Sequence, residues 1–240
     1  MKNAENLFLK GIKDGVPICI GYVSVAFAFG IFAVSNGLTA VEALLISMTN
    51  VTSAGQLAAV PIMITGGTLL ELAASQLVIN LRYSLMSITL SQRLDETVRT
   101  RDRFLIAFVN TDEVFAVAAS KPSVGRSYMF GLILTPFLGW SAGTIIGAVA
   151  GSLLPPLVIS ALGVAIYGMF IAIVVPVAKE DGKVLFCVIT AIIMSCAFRF
   201  IPALSGVQSG FVIIICSVAA SAISAAVFPI ENAKEEKNEL

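Results

Sequence analysis

Residues 44–63, LLISMTNVTSAGQLAAVPIM, are as many as a membrane-spanning helix needs, but they are interrupted at the centre. A helix that crosses the hydrocarbon core of a bilayer requires about 20 mostly apolar residues. The apolar residues on either side of the interruption are continuous and do not alternate with polar ones, which excludes a strand of a membrane barrel. Because a backbone in lipid must satisfy its own hydrogen bonds, the stretch predicts helix with a break near residues 50–56.

The whole chain has the composition of a membrane protein. Of its 240 residues, 58% are hydrophobic and 12% are charged, whereas an average soluble domain is about 25% charged. The 15 Lys and Arg residues balance the 15 Asp and Glu residues, so the chain lacks the positive charge that binds nucleic acid. It also has no His, the commonest metal ligand. These features exclude a cytosolic enzyme, a nucleic-acid-binding protein and a disordered chain; we expect a lipid bilayer around the chain and no cofactor or metal.

Charged residues, Gly and Pro divide the chain into eight apolar segments. We therefore predict an all-α, polytopic helical bundle of about seven to eight membrane segments. The bundle forms a single transmembrane domain over residues 1–240, with a cytoplasmic N-terminal end at 1–14 and a charged, poorly ordered tail at 231–240. The segments are 15–35, 39–63, 68–90, 104–120, 127–150, 157–178, 183–200 and 207–228.

Clusters of Lys and Arg constrain the topology, because positive charge favours the cytoplasmic side of a membrane. The clusters are the N-terminal end, 91–103, 121–126 and 179–183. With one crossing per segment, these clusters would fall on alternating sides. Either segments 39–63 and 104–120 enter and return on one side, which brings the clusters together, or the chain has eight plain spans and a weak charge bias. The first alternative makes both segments discontinuous or re-entrant, near 50–56 and 109–113.

Both of these segments carry helix-start patterns at their centres. Ser53 and Gln56 have the Ser-x-x-Gln spacing of a capping box. Asn110 and Glu113 have the same spacing, and Asp112 and Glu113 would stand in the first turn of the next helix. Transporters bind ions and carboxylates at such half-helix ends, and acids inside a span normally face a cavity. The alternative is that Ser and Thr bond back to their own helix, which is common in membranes.

Segment 68–90 predicts a helix with a polar side. Glu71, Ser75 and Arg82 return to within about 40° of one another on a helix of 3.6 residues per turn. Arg82 either extends to the cytoplasmic interface or binds a carboxylate, of the substrate or of Asp112 or Glu113. Since arginine does not titrate usefully, a proton-coupled step would need Glu71, Asp112 or Glu113. A second polar stripe consists of Gln76, Asn80, Ser84 and Ser87.

A ridge of small residues follows in segment 127–150 and just beyond it. Small residues four apart let the backbone of a second helix approach closely. The partner helix would come either from this chain or from a second subunit. The ridge consists of Gly139, Gly143, Gly147 and Gly151.

Three motifs carry a family resemblance: Ser53-Ala54-Gly55-Gln56, Asn80-Leu81-Arg82-Tyr83 and Thr111-Asp112-Glu113-Val114-Phe115. With them, nearly the whole chain resembles the AzlC-type large subunit of bacterial branched-chain amino acid exporters. The resemblance implies a multi-pass protein of the inner membrane that exports branched-chain or similar amino acids and draws on the proton gradient. It also implies a small, separately encoded, AzlD-like membrane subunit as partner.

Together with the resemblance, these residues favour secondary active export of a small apolar zwitterion. The amide ends near residues 53–56, or Arg82, would bind the carboxylate, and Asn110, Asp112 or Glu113 would bind the ammonium. A passive channel or a scaffold subunit is the alternative, and a membrane-embedded enzyme is the least favoured. The candidate substrate-binding residues are Ser53, Gly55, Gln56, Asn80, Arg82, Asn110 and Asp112, and the candidate proton-coupling residues are Asp112, Glu113 and Glu71.

Overall fold

Apolar runs form helices throughout the part of the chain that a computed structural model describes, residues 2–151, 153–155, 157–158, 168, 171–172, 174–204 and 206–229. Contacts divide the chain into two units, unit 1 (Met1–Gly168) and unit 2 (Met169–Leu240), which we describe separately. The helices of unit 1 are α1 (Lys2–Ser35), α2 (Ala40–Thr49), α3 (Ser53–Ile64), α4 (Leu69–Ser91), α5 (Thr100–Phe108), α6 (Asp112–Ala119) and α7 (Arg126–Gly151). Those of unit 2 are α8 (Gly182–Phe200) and α9 (Ser209–Val227), preceded by helical residues at 174–180.

Four helices are long and apolar enough to cross a membrane, by length and composition: Glu5–Ser35, Arg126–Gly151, Gly182–Phe200 and Ser209–Val227. The helix α4 has 23 residues, which span about 34 Å, but it is more polar and lies outside this group. The described residues form no strand beyond an isolated bridge between Leu94 and Val124. The predicted all-α membrane protein is confirmed, and the count of seven to eight segments stays a prediction.

The first helix differs from the segment that the sequence predicts. Helix α1 begins at Lys2 instead of residue 15, so residues 2–14 belong to the same helix as the first apolar segment. Lys and Glu are good helix formers, and α1 already contacts α7 at Phe8 and Gly11. The cytoplasmic location of the N-terminal end stays a prediction. Most of segment 157–178 and the tail 231–240 lie outside the described residues.

The helices α1 and α7 are parallel and in contact along their length. A constant offset of 120 residues separates their contact pairs, which are Cys19–Gly139, Val23–Gly143, Phe27–Gly147 and Ile31–Gly151. A Cβ atom on Gly147 would overlap the carbonyl oxygen of Phe27, so the close contact between α1 and α7 at this position requires glycine. The partner of the predicted ridge is therefore α1 of the same chain.

Two of the basic loops meet at the end of unit 1 where α7 begins. The backbone amide of Arg126 donates to Thr97 Oγ1 at 2.9 Å, and Arg126 Nε lies 3.0 Å from Asp102 Oδ2. Lys121 Nζ lies 3.2 Å from Asp14 Oδ2 of α1. Loop 92–99, loop 120–125 and the first half of α1 thus lie at one end of unit 1, which we call the basic end.

The broken segment α2–α3 returns to the end from which it comes. Ala43 of α2 and Val60 of α3 belong to one buried cluster with Phe29 of α1 and Ala148 of α7, far from the basic end. At the break, Gln56 Nε2 donates to Ser47 Oγ at 2.5 Å, which joins the two arms. The pair α5–α6 likewise begins next to loop 92–99 and ends next to loop 120–125, both at the basic end. In unit 1 both broken segments therefore return to the end from which they start, and α4 runs between the two ends; re-entry from one side of the membrane stays a prediction.

Both breaks lie where the sequence predicts them, but the predicted capping boxes are wrong. Thr52 and Thr111 are the N-cap residues of α3 and α6, and neither side chain makes a cap hydrogen bond. The side chain of Gln56 is fully buried and bonds to Ser47 of α2 instead of to its own helix start. The side chain of Glu113 accepts a hydrogen bond from α1. Partners on other helices thus replace the local capping bonds.

Candidate functional site

A cavity of about 130 Å³ lies where the two breaks meet α4. One water needs about 10–15 Å³ of such volume, whereas pockets for drug-sized ligands have about 300–1,000 Å³. This central cavity therefore fits a small metabolite. Its lining residues are Thr49, Asn50, Val51, Thr52, Asn80, Tyr83, Ala107, Phe108, Asn110 and Thr111.

The central cavity is polar but uncharged. Seven of its ten lining residues have polar side chains, and none is Asp, Glu, Lys or Arg. Within the described part of the chain, the side-chain oxygens Oδ1 of Asn80 and Asn110 are buried and accept no hydrogen bond. Asn110 is only 3% exposed, and a buried polar group without a partner costs about 1–3 kcal/mol. Both oxygens are therefore available to a donor group of a ligand.

Gln76 of α4 holds the first break in position. Its Oε1 accepts hydrogen bonds from Asn50 Nδ2 at 3.0 Å and from Asn80 Nδ2 at 3.2 Å. Its Nε2 donates to the backbone oxygen of Gly55 at 2.9 Å. A Cβ atom on Gly55 would lie 2.6 Å from Gln76 Oε1, so a side chain at position 55 would displace this contact. Gly55 thus shapes the cavity wall without lining it.

Two helix starts meet at the cavity. Thr52 precedes α3 and Thr111 precedes α6, and both residues line the cavity. The first amides of a helix have no partner within it, and the helix dipole adds a partial positive charge at this end. Neither threonine caps its helix with its side chain, so the first amides of α3 and α6, directly beyond these two wall residues, remain open to a ligand oxygen at the edge of the cavity. Ser53 is the first residue of α3 and contributes to this start.

Arg82 and Asp112 lie beside the cavity, and neither lines it. A guanidinium nitrogen of Arg82 is 2.7 Å from Asp112 Oδ2, and a nitrogen of the same group donates to the hydroxyl of Tyr83 at 3.1 Å. Of the alternatives for Arg82, the structure thus has the ion pair with Asp112. Contact of these two side chains with a substrate therefore stays a prediction.

Glu113 also has a partner on another helix. Its carboxylate accepts a 2.5 Å hydrogen bond from the hydroxyl of Tyr22 in α1. The ring of Tyr22 packs edge-on against Trp140 of α7, with the ring centroids 5.0 Å apart. Sequence reasoning missed Tyr22; the available signal is that a tyrosine within an apolar helix needs a partner for its hydroxyl.

Glu71 is not brought together with the other two acids. It lies in the first turn of α4 beside Gly67 and is 1% exposed. Ser75 is also buried, whereas the side chain of Arg82 is 56% exposed. The face that the helix period predicts therefore spans two environments, because the turn at 65–68 covers Glu71 but does not reach Arg82. A proton-coupling role of Glu71 stays a prediction, at a place separate from Asp112 and Glu113.

Comparisons with known proteins agree with these features. The family model described as AzlC protein matches residues 17–154, which include the whole central cavity. The chain is 31% identical over 194 residues to the inner membrane protein YgaZ of Escherichia coli K12, covering 78% of each protein. It is 34% identical over 175 residues to an uncharacterized membrane protein of Archaeoglobus fulgidus, covering 72% of this chain and 77% of that protein.

A more distant relative is an uncharacterized membrane protein of Helicobacter pylori strain 26695, which is 28% identical over 153 residues, or 60% of this chain and 66% of that protein. No solved structure matches the chain significantly. The family match extends over both breaks and the helices that surround the central cavity. The chain is therefore a multi-pass membrane protein that belongs to the AzlC family.

Proposed function

We propose that the chain is a secondary transporter that exports branched-chain or related small apolar amino acids across the inner membrane. The central cavity carries this proposal: it is small, polar and uncharged, and it lies at the junction of two helix breaks. Broken helices form the cargo sites of many transporters, because their ends leave backbone groups free to bind. A cavity without charged residues favours a net-neutral cargo, since a buried charge needs a partner.

A leucine-like zwitterion needs donors for its carboxylate, acceptors for its ammonium group and an apolar surface for its side chain. The helix starts after Thr52 and Thr111 offer amides to the carboxylate. The Oδ1 atoms of Asn80 and Asn110 can accept hydrogen bonds from the ammonium. The side chain of the cargo would pack against the apolar part of the wall, which consists of Val51, Ala107 and Phe108.

The proton gradient is the proposed energy source, and Asp112 and Glu113 are the proposed proton carriers. Both residues belong to the first turn of α6, directly after the lining residue Thr111. Asp112 binds Arg82 of α4, and Glu113 binds Tyr22 of α1. Protonation of either acid would weaken its link to the neighbouring helix and free the start of α6 to move. Movement of α6 would change the cavity wall and thereby couple the proton to the cargo.

The alternatives are a passive channel, a scaffold subunit without transport of its own, and an enzyme. The small AzlD-like subunit is part of the proposal, and a scaffold role would make transport depend on it. Of the residues that line the central cavity, none is Asp, Glu, Cys or His, and Tyr83 is the one lining side chain that could act as a general acid or base. The uncharged lining therefore favours a carrier of a neutral molecule.

Leucine counterflow in liposomes tests the proposal. Purified protein is reconstituted into vesicles loaded with unlabelled leucine, and uptake of labelled leucine is followed with and without a pH gradient. We expect saturable uptake that isoleucine and valine inhibit and that lysine and glutamate do not. Uptake that rises linearly with concentration would indicate a channel, and uptake only after addition of the small subunit would indicate an obligate complex. No saturable uptake under either condition would contradict the proposal.

A further inference from the structure

A second cavity, of about 280 Å³, lies between the central cavity and the basic end of unit 1. We call it the vestibule. It is bounded by the last turns of α4, the residues that follow α4, and α5. Its wall is mostly apolar, from Leu90, Leu94, Phe104 and Ile106. The vestibule and the central cavity have two wall residues in common, Ala107 and Asn110.

We propose that the vestibule is the access route to the central cavity and contains a first binding subsite for an apolar amino acid. In this subsite Arg103 binds the carboxylate of the cargo, and Asn110 divides the subsite from the central cavity. The inference rests on the proposed transport function and adds to it the side from which the cargo arrives and a residue that receives it.

The charge and shape of the vestibule support a carboxylate with an apolar tail. Arg103 is the one charged residue of the vestibule wall. Within the described residues, Arg103 has no ion pair, whereas Arg82 and Arg126 each bind a carboxylate. A guanidinium matches a carboxylate through two parallel hydrogen bonds. The apolar wall next to Arg103 matches a branched aliphatic side chain.

Asn110 is suited to pass the cargo from one cavity to the other. Asn110 is buried, with 3% of its surface exposed. Its Nδ2 donates to Ser87 Oγ of α4 at 3.3 Å, and its Oδ1 has no partner among the described residues. The hydrogen bond to Ser87 is long and therefore weak, so it can open without a large loss. The free oxygen can bind an ammonium group that reaches the common wall.

Kinetics of two neighbouring arginine variants test the subsite. We expect Arg103→Gln to raise the KM of leucine about tenfold with little change in kcat, because the loss of one charge-assisted contact weakens only the first binding step. Arg103→Lys should restore part of the affinity. The matched control is Arg101→Gln, since Arg101 is exposed in the same helix but lines neither cavity. Equal effects of the two Gln variants would overturn the subsite and indicate a general effect of surface charge.

Thiol labelling tests the route without depending on transport. In protein whose four native cysteines are replaced, Ser91→Cys and Ala107→Cys are treated with a membrane-impermeant maleimide from one side at a time. The exposed positions Glu96→Cys at the basic end and Ser35→Cys at the other end of α1 report the side. We expect Ser91→Cys and Ala107→Cys to react from the Glu96 side, and saturating leucine to protect Ala107→Cys.

Failure of the proposed access route or subsite and failure of the proposed transport function give different results. Labelling from the Ser35 side, or no labelling of either vestibule position in correctly folded protein, would overturn the route even if leucine counterflow is saturable. Labelling from the Glu96 side without protection by leucine would overturn the subsite. Absence of saturable counterflow would instead contradict the transport function, whichever side the label comes from.

Discussion

The guanidinium of Arg82 lies 2.7 Å from the carboxylate of Asp112, and this ion pair joins the middle of α4 to the first turn of α6. The two side chains are 56% and 45% exposed, so neither is enclosed by unit 1. An unpaired charge at the centre of a membrane helix costs about 2.5–3.5 kcal/mol on insertion scales. The pair offsets part of this cost and holds the second break against α4, next to Asn110 and Thr111.

Charge exchange tests the role of this pair. We expect Arg82→Ala and Asp112→Ala each to lower the amount of folded protein in the membrane and the rate of leucine counterflow, because each leaves one charge unpaired. The exchange Arg82→Asp with Asp112→Arg should recover folded protein beyond either Ala variant, since it restores an ion pair. The amount of folded protein in detergent is measured by size-exclusion chromatography. Additive losses in the exchanged variant would contradict a direct interaction.

Asn110 should govern the affinity for the cargo. Hydrogen bonds to charged groups contribute about 1.5–3 kcal/mol, so Asn110→Ala should weaken leucine binding by roughly 10- to 100-fold. Binding is measured as the concentration of leucine that gives half-maximal counterflow. The control is Asn36→Ala, which removes an asparagine whose side chain donates to the backbone oxygen of Phe32 in α1. An unchanged half-maximal concentration for Asn110→Ala would remove Asn110 from the site.

The contact between α1 and α7 should tolerate no methyl group at Gly147. The added Cβ would overlap the carbonyl oxygen of Phe27, and overpacking of this kind costs about 1–3 kcal/mol or more. We expect Gly147→Ala to lower the melting temperature of the purified protein. Gly21→Ala is the matched control, because a Cβ there meets no described atom within 4 Å and alanine favours helix by about 1 kcal/mol. A melting temperature for Gly147→Ala equal to that of the control would contradict the close approach.

The re-entrant arrangement predicts the side of four loop positions. Thr65→Cys should react with an impermeant thiol reagent from the same side as Ser35→Cys, because α2 and α3 return to that end. Glu96→Cys and Ser123→Cys should react from the other side, since loops 92–99 and 120–125 meet there. All four positions are exposed in the structure. If Thr65→Cys and Ser35→Cys react from opposite sides, α2 and α3 cross the membrane as one span.

Local sequence features determined the class of protein, the helices and the positions of the breaks. Long apolar runs without alternation allow only helices in lipid, because no other open structure satisfies the backbone there. Polar clusters at Asn50–Ser53 and Asn110–Glu113 interrupt these runs, and the chain leaves the helix at both. The four-residue repeat of glycines likewise predicts a close helix contact, although it does not identify the partner helix. Each of these features depends on residues within one or two helical turns.

Tertiary structure alone decided which of these features meet. Ser47 bonds to Thr144, and Tyr22 bonds to Glu113, across 97 and 91 residues. Helix periodicity carries no information on contacts between residues so far apart in the chain. The sequence alone therefore did not show that Arg82 and Asp112 lie beside the cavity wall, or that Glu71 lies apart from Glu113. Contacts between helices also override the capping that the local sequence predicts, since Gln56 bonds to Ser47 of α2 instead of capping its own helix. The local sequence sets where the backbone breaks, and the contacts between helices determine that the two breaks face one cavity.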